Sequence, residues 1–286
     1  MRRITSQRTP GNMMTNGAGN NILTPGDLAT EDPGGMSSDV MAGTGRTAGR
    51  HDPLAGRVLC LAAHPDDEVL GIGGTLTRHA GAGGEVVTLI LSEGESAKLE
   101  DKAPCADRRA CARAAAQVMG SRDVLFGALD DQRFDAVPFI DVVKVIERVV
   151  RELQPEIVYT HHGGDANTDH LIAFKATYAA CRPMSRFTRS VRRLLCYETP
   201  SSTDQAPGLT HFAFVPNVYV EVGCVWPTKL DALRCYASEL VAWPHPRSIE
   251  YIDALAVKRG GESGCERAEA LVLVREVVAA GSDQGR

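Results

Sequence analysis

Two stretches of the chain bring together side chains that can do chemistry. In LAAHPDDEVLGIGGTL, His64, Asp66, Asp67 and Glu68 directly follow an apolar run; in VYTHHGGDANTDHLIAF, His161, His162, Asp165, Asn167, Asp169 and His170 follow another. His64 and Asp67 lie three apart in a turn that Pro65 keeps out of a regular helix, so both side chains can converge on one point. His170 adds a second imidazole. Two imidazoles and a carboxylate form a ligand set typical of hydrolytic zinc, Zn²⁺, with a position left open for water. Asp66, beside a ligand but pointing elsewhere, is the candidate general base for that water. Each cluster also has a plain structural reading: consecutive acids suit a helix N-terminus, and Asp169 suits an N-cap. Two such clusters in one chain favour the metal.

The surrounding elements must carry both clusters to one place. From Arg57 onward, short β-branched runs alternate with longer helical patterns, the grammar of an α/β fold: a Rossmann-like, largely parallel sheet with helices on both faces. Strands are expected at 57–63, 85–92, 123–129, 156–162, 193–199 and 217–222. Helices are expected near 73–80, 105–119, 138–153, 169–181, 226–238 and 248–258. In the helix at 138–153, Ile140, Val143, Ile146, Val149 and Val150 are expected to share one face. ALVLVREVV (270–278) fits either a strand or a helix. In such sheets the carboxyl ends of the strands border the ligand crevice, so both clusters should face one cleft. The GIGG spacing after Glu68 fits no phosphate-binding loop and reads as close packing of helix on sheet.

Composition narrows the function further. The 286 residues carry 31 Lys and Arg against 36 Asp and Glu, a net charge of -5. That balance speaks against a nucleic-acid partner. No apolar run approaches the roughly 20 residues of a membrane span, so a cytoplasmic protein is expected. The eight cysteines include no CxxC pair and read as buried, reduced thiols. Residues 1–50 hold nine of the 28 glycines and no Phe, Trp or Tyr, and read as a disordered tail; residues 51–286 read as a single catalytic domain.

AHPDDE after the first strand and the distal TDH closely resemble the LmbE/PIG-L family of zinc-dependent N-deacetylases. The resemblance runs over about residues 57–275 and includes LDDQRF (129–134), HPRSIEYIDALAVKRG (245–260) and AEAL (268–271). It implies zinc bound by His64, Asp67 and His170, with Asp66 as catalytic base, in agreement with the residues read by themselves. It also implies hydrolysis of the acetamide of an N-acetylglucosamine-type sugar or glycoconjugate, a small-molecule partner. The chain departs from the family at one point: many members have a histidine acid or oxyanion stabiliser where Asn167 stands. The acid is then expected among His161, His162 and His245, with His245 favoured. Asn167, Arg108, Arg109, Asp131, Arg133 and Arg247 are candidate substrate contacts. The same residues also suit an amidase acting on a larger acyl or thiol-conjugate amide, or a catalytically silent sugar-binding homologue.

Overall fold

The computed structural model describes residues 54–92, 107–184 and 187–278, all within a unit spanning Gly49–Arg286. The tail expected at residues 1–50 lies outside the described residues, as does Cys105. The element order is β1 (Arg57–Ala62), α1 (Asp67–Gly81), β2 (Glu85–Ser92), α2 (Arg108–Met119), β3 (Asp123–Leu129), α3 (Phe139–Leu153), β4 (Ile157–His161) and α4 (Thr168–Ala180). Then come β5 (Arg193–Tyr197), β6 (Val218–Glu221), α5 (Trp226–Arg234), α6 (Ile249–Ser263) and β7 (Ala268–Glu276).

The seven strands form one sheet in the order β3-β2-β1-β4-β5-β7-β6. β1 to β5 pair in parallel, and β7 runs antiparallel between β5 and β6. The ambiguous segment at 270–278 is thus a strand, because two neighbours offer it a complete ladder. β1 is the hub: Val58, Cys60 and Ala62 face a core shared with α1, α2, α5 and α6, while Leu59 and Leu61 face a core shared with α3 and α4. A strand buried on both faces must be apolar throughout, which is why RVLCLA shows no alternation.

Several expectations shift in detail. In α3 the buried face is Val142, Val143, Ile146, Val149 and Val150, while Ile140 is 55% exposed. At about 100° per residue, Ile140 sits about 120° round the helix from Ile146, outside the apolar stripe. Helix α1 begins at Asp67, earlier than expected, and is broken at Ile72 (φ -135°, ψ 26°). Cys60, Cys181 and Cys196 are buried thiols, but Cys224 is exposed because it lies in the short turn Gly223–Val225 between β6 and α5. Gly71 and Gly74 do serve close packing: a side chain at Gly71 would meet the Tyr197 ring, and one at Gly74 would lie 2.8 Å from Val222. Among the described residues, no helix is long and apolar enough to cross a membrane.

The strand order places the chemistry. The chain leaves β1 toward β2 and β3 on one side, then crosses back through α3 to β4 on the other side of β1. The loops after β1 and β4 therefore part in opposite directions and open a crevice between them. Ile146, fully buried under that crossover, tests the packing: Ile146→Ala should cost about 2–5 kcal/mol of unfolding free energy in denaturant titration.

Candidate metal centre and active site

The turn after β1 delivers His64, Pro65 and Asp66, and Asp67 opens α1. The loop after β4 delivers Asp165 and Asn167, and the first turn of α4 delivers Asp169 and His170. These residues meet as the strand order requires. Among the described residues, His64, Asp67 and His170 form one group able to hold a metal ion. His64 Nδ1 is 3.3 Å from Asp67 Oδ2, His170 Nε2 is 3.3 Å from the same oxygen, and the two imidazole nitrogens are 3.3 Å apart. Ligands about 2.0–2.1 Å from a tetrahedral zinc lie about 3.3–3.4 Å from each other, so the triangle already has the dimensions of one face of that tetrahedron.

The atoms behind this face fit as well. His64 Nε2 is 3.1 Å from Asp169 Oδ2, and His170 Nδ1 is 3.2 Å from Asp165 Oδ2. A carboxylate on the far nitrogen fixes the tautomer and turns the near lone pair toward the metal. Asp165 is itself held by the hydroxyls of Ser202 and Thr203 and by the Asn167 backbone N–H. Asp169 Oδ1 accepts the backbone N–H of Phe134 at 3.1 Å. Asp169 therefore does more than start a helix, and the cap of α4 is Asn167, whose side chain accepts the Asp169 N–H at 2.8 Å. A second group able to hold a metal, His64, Asp131 and Asp169, shares His64 with the first.

Electrostatics follow from this crowding. Burial would push His64 down, but the carboxylates of Asp169, Asp67 and Asp131 outweigh it and raise it to about 10. In His170 burial is likewise overcome by Asp67 and Asp165, which raise it to about 9. Asp67 is held well below the carboxylate range, since the surrounding imidazoles outweigh its burial. His161, fully buried and stacked on His170 with ring centroids 3.8 Å apart, is pushed down to about 3 by burial and by the His170 charge. Its Nε2 accepts the Ala63 backbone N–H at 2.8 Å. Burial raises Asp66 to about 6, against the pull of two guanidiniums. Arg247 Nη1 is 3.1 Å and Arg108 Nη2 is 3.3 Å from Asp66 Oδ2, whereas the buried Asp66 Oδ1 has no hydrogen-bond partner among the described residues.

The other sequence-derived candidates divide into two sets. Asp131 joins the cluster, its Oδ1 3.2 Å from His64 Nε2, and Arg108 and Arg247 meet at Asp66. Arg109 packs over the Phe126 ring at 5.2 Å, and Arg133 is exposed beside Phe134. His162 Nε2 lies 3.2 Å from the Phe212 carbonyl. His245 is exposed, with its Nδ1 accepting the Arg247 backbone N–H at 3.0 Å. Sequence reasoning did not single out Glu239, 3.7 Å from both Arg108 and Arg247, nor Ser202 and Thr203. Isolated polar residues in irregular segments carry no pattern that would reveal them.

The model of the PIG-L family, described as GlcNAc-PI de-N-acetylase, matches residues 59–181. The deacetylase YaiS of Escherichia coli K12, itself uncharacterised, is 30% identical over 187 residues, covering 63% of this chain and 90% of that protein. The chain belongs to the PIG-L family. This PIG-L chain is also 26% identical to the diacetylchitobiose deacetylase of Thermococcus kodakarensis over 76% of its length and 83% of that protein's. Among solved structures it resembles the 4-carboxy-2-hydroxymuconate hydratase GalB of Pseudomonas putida KT2440, with a TM-score of 0.64 at 26% identity, covering 79% of this chain and 99% of that one. The mostly parallel sheet with helices on both faces is the fold of this family.

The raised imidazoles give a pH dependence of definite sign. A metal entering the triangle must displace the protons of both His64 and His170, so its affinity rises with pH until both imidazoles are neutral, near pH 9–10. Below that limit, each pH unit should tighten apparent zinc affinity by about 100-fold, with about two protons released per ion in weakly buffered titrations. Binding that does not change with pH would contradict the assignment.

Proposed function

We propose that the chain is a zinc-dependent N-deacetylase acting on an N-acetylglucosamine-type sugar or its conjugate. One observation carries this reading: three ligand atoms 3.3 Å apart beside a buried carboxylate with one unpartnered oxygen. When bound, zinc would supply Lewis acidity toward water and toward the acetamide carbonyl. The residues supply the rest. Arg108 and Arg247 pin Asp66 Oδ2, leaving Oδ1 to take the proton of the attacking water. Expulsion of the amine then needs a proton donor at the opposite side of the reacting carbon. His161 does not suit this task, because it is buried and kept neutral. His245 suits it better: it is exposed, and the segment that carries it is anchored on Asp66 through Arg247. Asn167, whose carbonyl is occupied as a helix cap, retains its amide N–H groups as donors to the substrate oxygen.

A second reading, addition of water across an activated double bond, has one observation in its favour, the likeness to a hydratase. A multiply charged carboxylate substrate calls for uncompensated cations. Here Arg108 and Arg247 already face Asp66 and Glu239, which favours a neutral amide.

An amine-release screen of the zinc-loaded enzyme over N-acetylglucosamine, its glycosides and its nucleotide diphosphate tests the activity; absence of release from every acetamide overturns it. Asp66→Asn, which tolerates the positive φ better than alanine does, should keep zinc and lose about 10²–10⁴-fold in turnover. His170→Ala should lose the metal, and His245→Ala should keep it while turnover falls about 10²-fold or more. Full zinc occupancy in His170→Ala by elemental analysis would remove that residue from the ligand set.

A further inference from the structure

Asp66 has φ 116° and ψ -27°, a conformation that L side chains rarely adopt. Such a residue stays in place only where its surroundings over-determine it. The turn that follows, Asp67–Leu70, is short because α1 breaks at Ile72. An unbroken helix would place a hydrogen bond from the Gly74 N–H to the Leu70 carbonyl. Here Lys229 Nζ donates to the Leu70 carbonyl at 3.1 Å, and Glu269 Oε1 accepts the Gly74 N–H at 2.9 Å. Glu269 Oε2 takes the Thr75 N–H at 2.6 Å, and Lys229 and Glu269 meet at 2.6 Å. A buried ion pair thus stands in the place of one hydrogen bond of the helix. The other end of the turn is held from the same direction: Tyr236 OH donates to Glu68 Oε1 at 2.6 Å, while Glu68 Oε2 accepts the Asp66 backbone N–H at 3.1 Å.

We infer that Lys229, Glu269 and Tyr236 are positioning residues that clamp the Asp66–Leu70 turn at both ends and so set the metal ligand Asp67 and the base Asp66 in register with His64 and His170. The inference rests on the metal reading above but concerns residues that touch neither metal nor substrate. Lys229 and Tyr236 are seven residues apart, about two helical turns, so α5 and its continuation present both to α1 from one side. Glu269 comes from β7. All three lie beyond residues 59–181, the stretch matched by the family model. A pair needed only for stability has no reason to bridge a helix break two residues beyond the turn that bears a ligand. Burying two charges is costly, and an apolar contact would serve packing as well.

The test compares zinc affinity, by competition with a chromophoric chelator, and amide hydrogen exchange of the zinc-free chain in wild type, Tyr236→Phe and the charge-neutral double variant Lys229→Met/Glu269→Gln. Expected are zinc affinities weakened by about 10–100-fold and faster exchange at Asp67–Leu70, with exchange in β1 and β4 unchanged. Wild-type affinity and exchange in both variants overturn the inference, as does a fall in melting temperature with unaltered affinity. If the double variant does not fold, Tyr236→Phe decides alone. If the wild type takes up no zinc, the metal reading falls, and exchange at the turn still decides whether the clamp exists.

Discussion

One carboxylate oxygen organises this molecule. Asp67 Oδ2 accepts the His64 backbone N–H at 2.8 Å and lies 3.3 Å from His64 Nδ1, 3.3 Å from His170 Nε2 and 3.4 Å from His161 Nε2. Its position fixes where β1 must end, how α1 must begin, and how far the β4 loop must reach. His64 after β1, His161 at the end of β4 and His170 at the start of α4 surround this oxygen where the strand order reverses, because the loops after β1 and β4 part there in opposite directions. The fold is in this sense the solution to a placement problem. The central strand is apolar from Val58 to Ala62 because it is covered on both faces, and it ends in a turn of buried polar residues, His64, Asp66 and Asp67.

That turn is expensive to maintain. Asp66 is strained, Asp66, Asp67 and Glu68 are all buried, and like charges crowd one another. The compensation comes from remote sequence: Arg108 from α2, Arg247 and Glu239 from the segment between α5 and α6, Tyr236 after α5, and the Lys229–Glu269 pair. Each of these groups meets a specific carboxylate or backbone atom rather than packing generically. The C-terminal third of the chain carries none of the ligand residues, yet it closes the sheet with an antiparallel strand and supplies most of these supports.

This division accounts for what could be read from the sequence. Strands β1 to β6 were legible because short apolar runs, bounded by polar loops and alternating with longer helical patterns, rarely form anything else. His64, Asp67 and His170 were legible because histidines and acids clustered at strand ends are uncommon without chemistry. β7 was ambiguous because a strand partly covered on both sides lacks the alternation that separates it from a buried helix. The break in α1 was hidden, since the helix was expected only from about residue 73 and the groups that fill the gap lie 159–195 residues away in sequence. Arg247 looked like a substrate contact from its motif alone; its guanidinium lies on Asp66, a pairing that only the tertiary structure reveals.

Charge balance couples the two imidazoles to the carboxylates behind them. With His64 raised to about 10 and His170 to about 9, both imidazoles carry protons near neutral pH, balancing part of the negative charge of Asp67, Asp165, Asp169 and Asp131. A divalent ion that displaces these two protons leaves the formal charge of the cluster unchanged. The two protons and a divalent ion thus balance the same carboxylates. A monovalent ion would leave the cluster more negative, and a trivalent ion would overshoot. A divalent cation thus suits the cluster in charge as well as in donor type, because of the carboxylates that stand behind the two imidazoles.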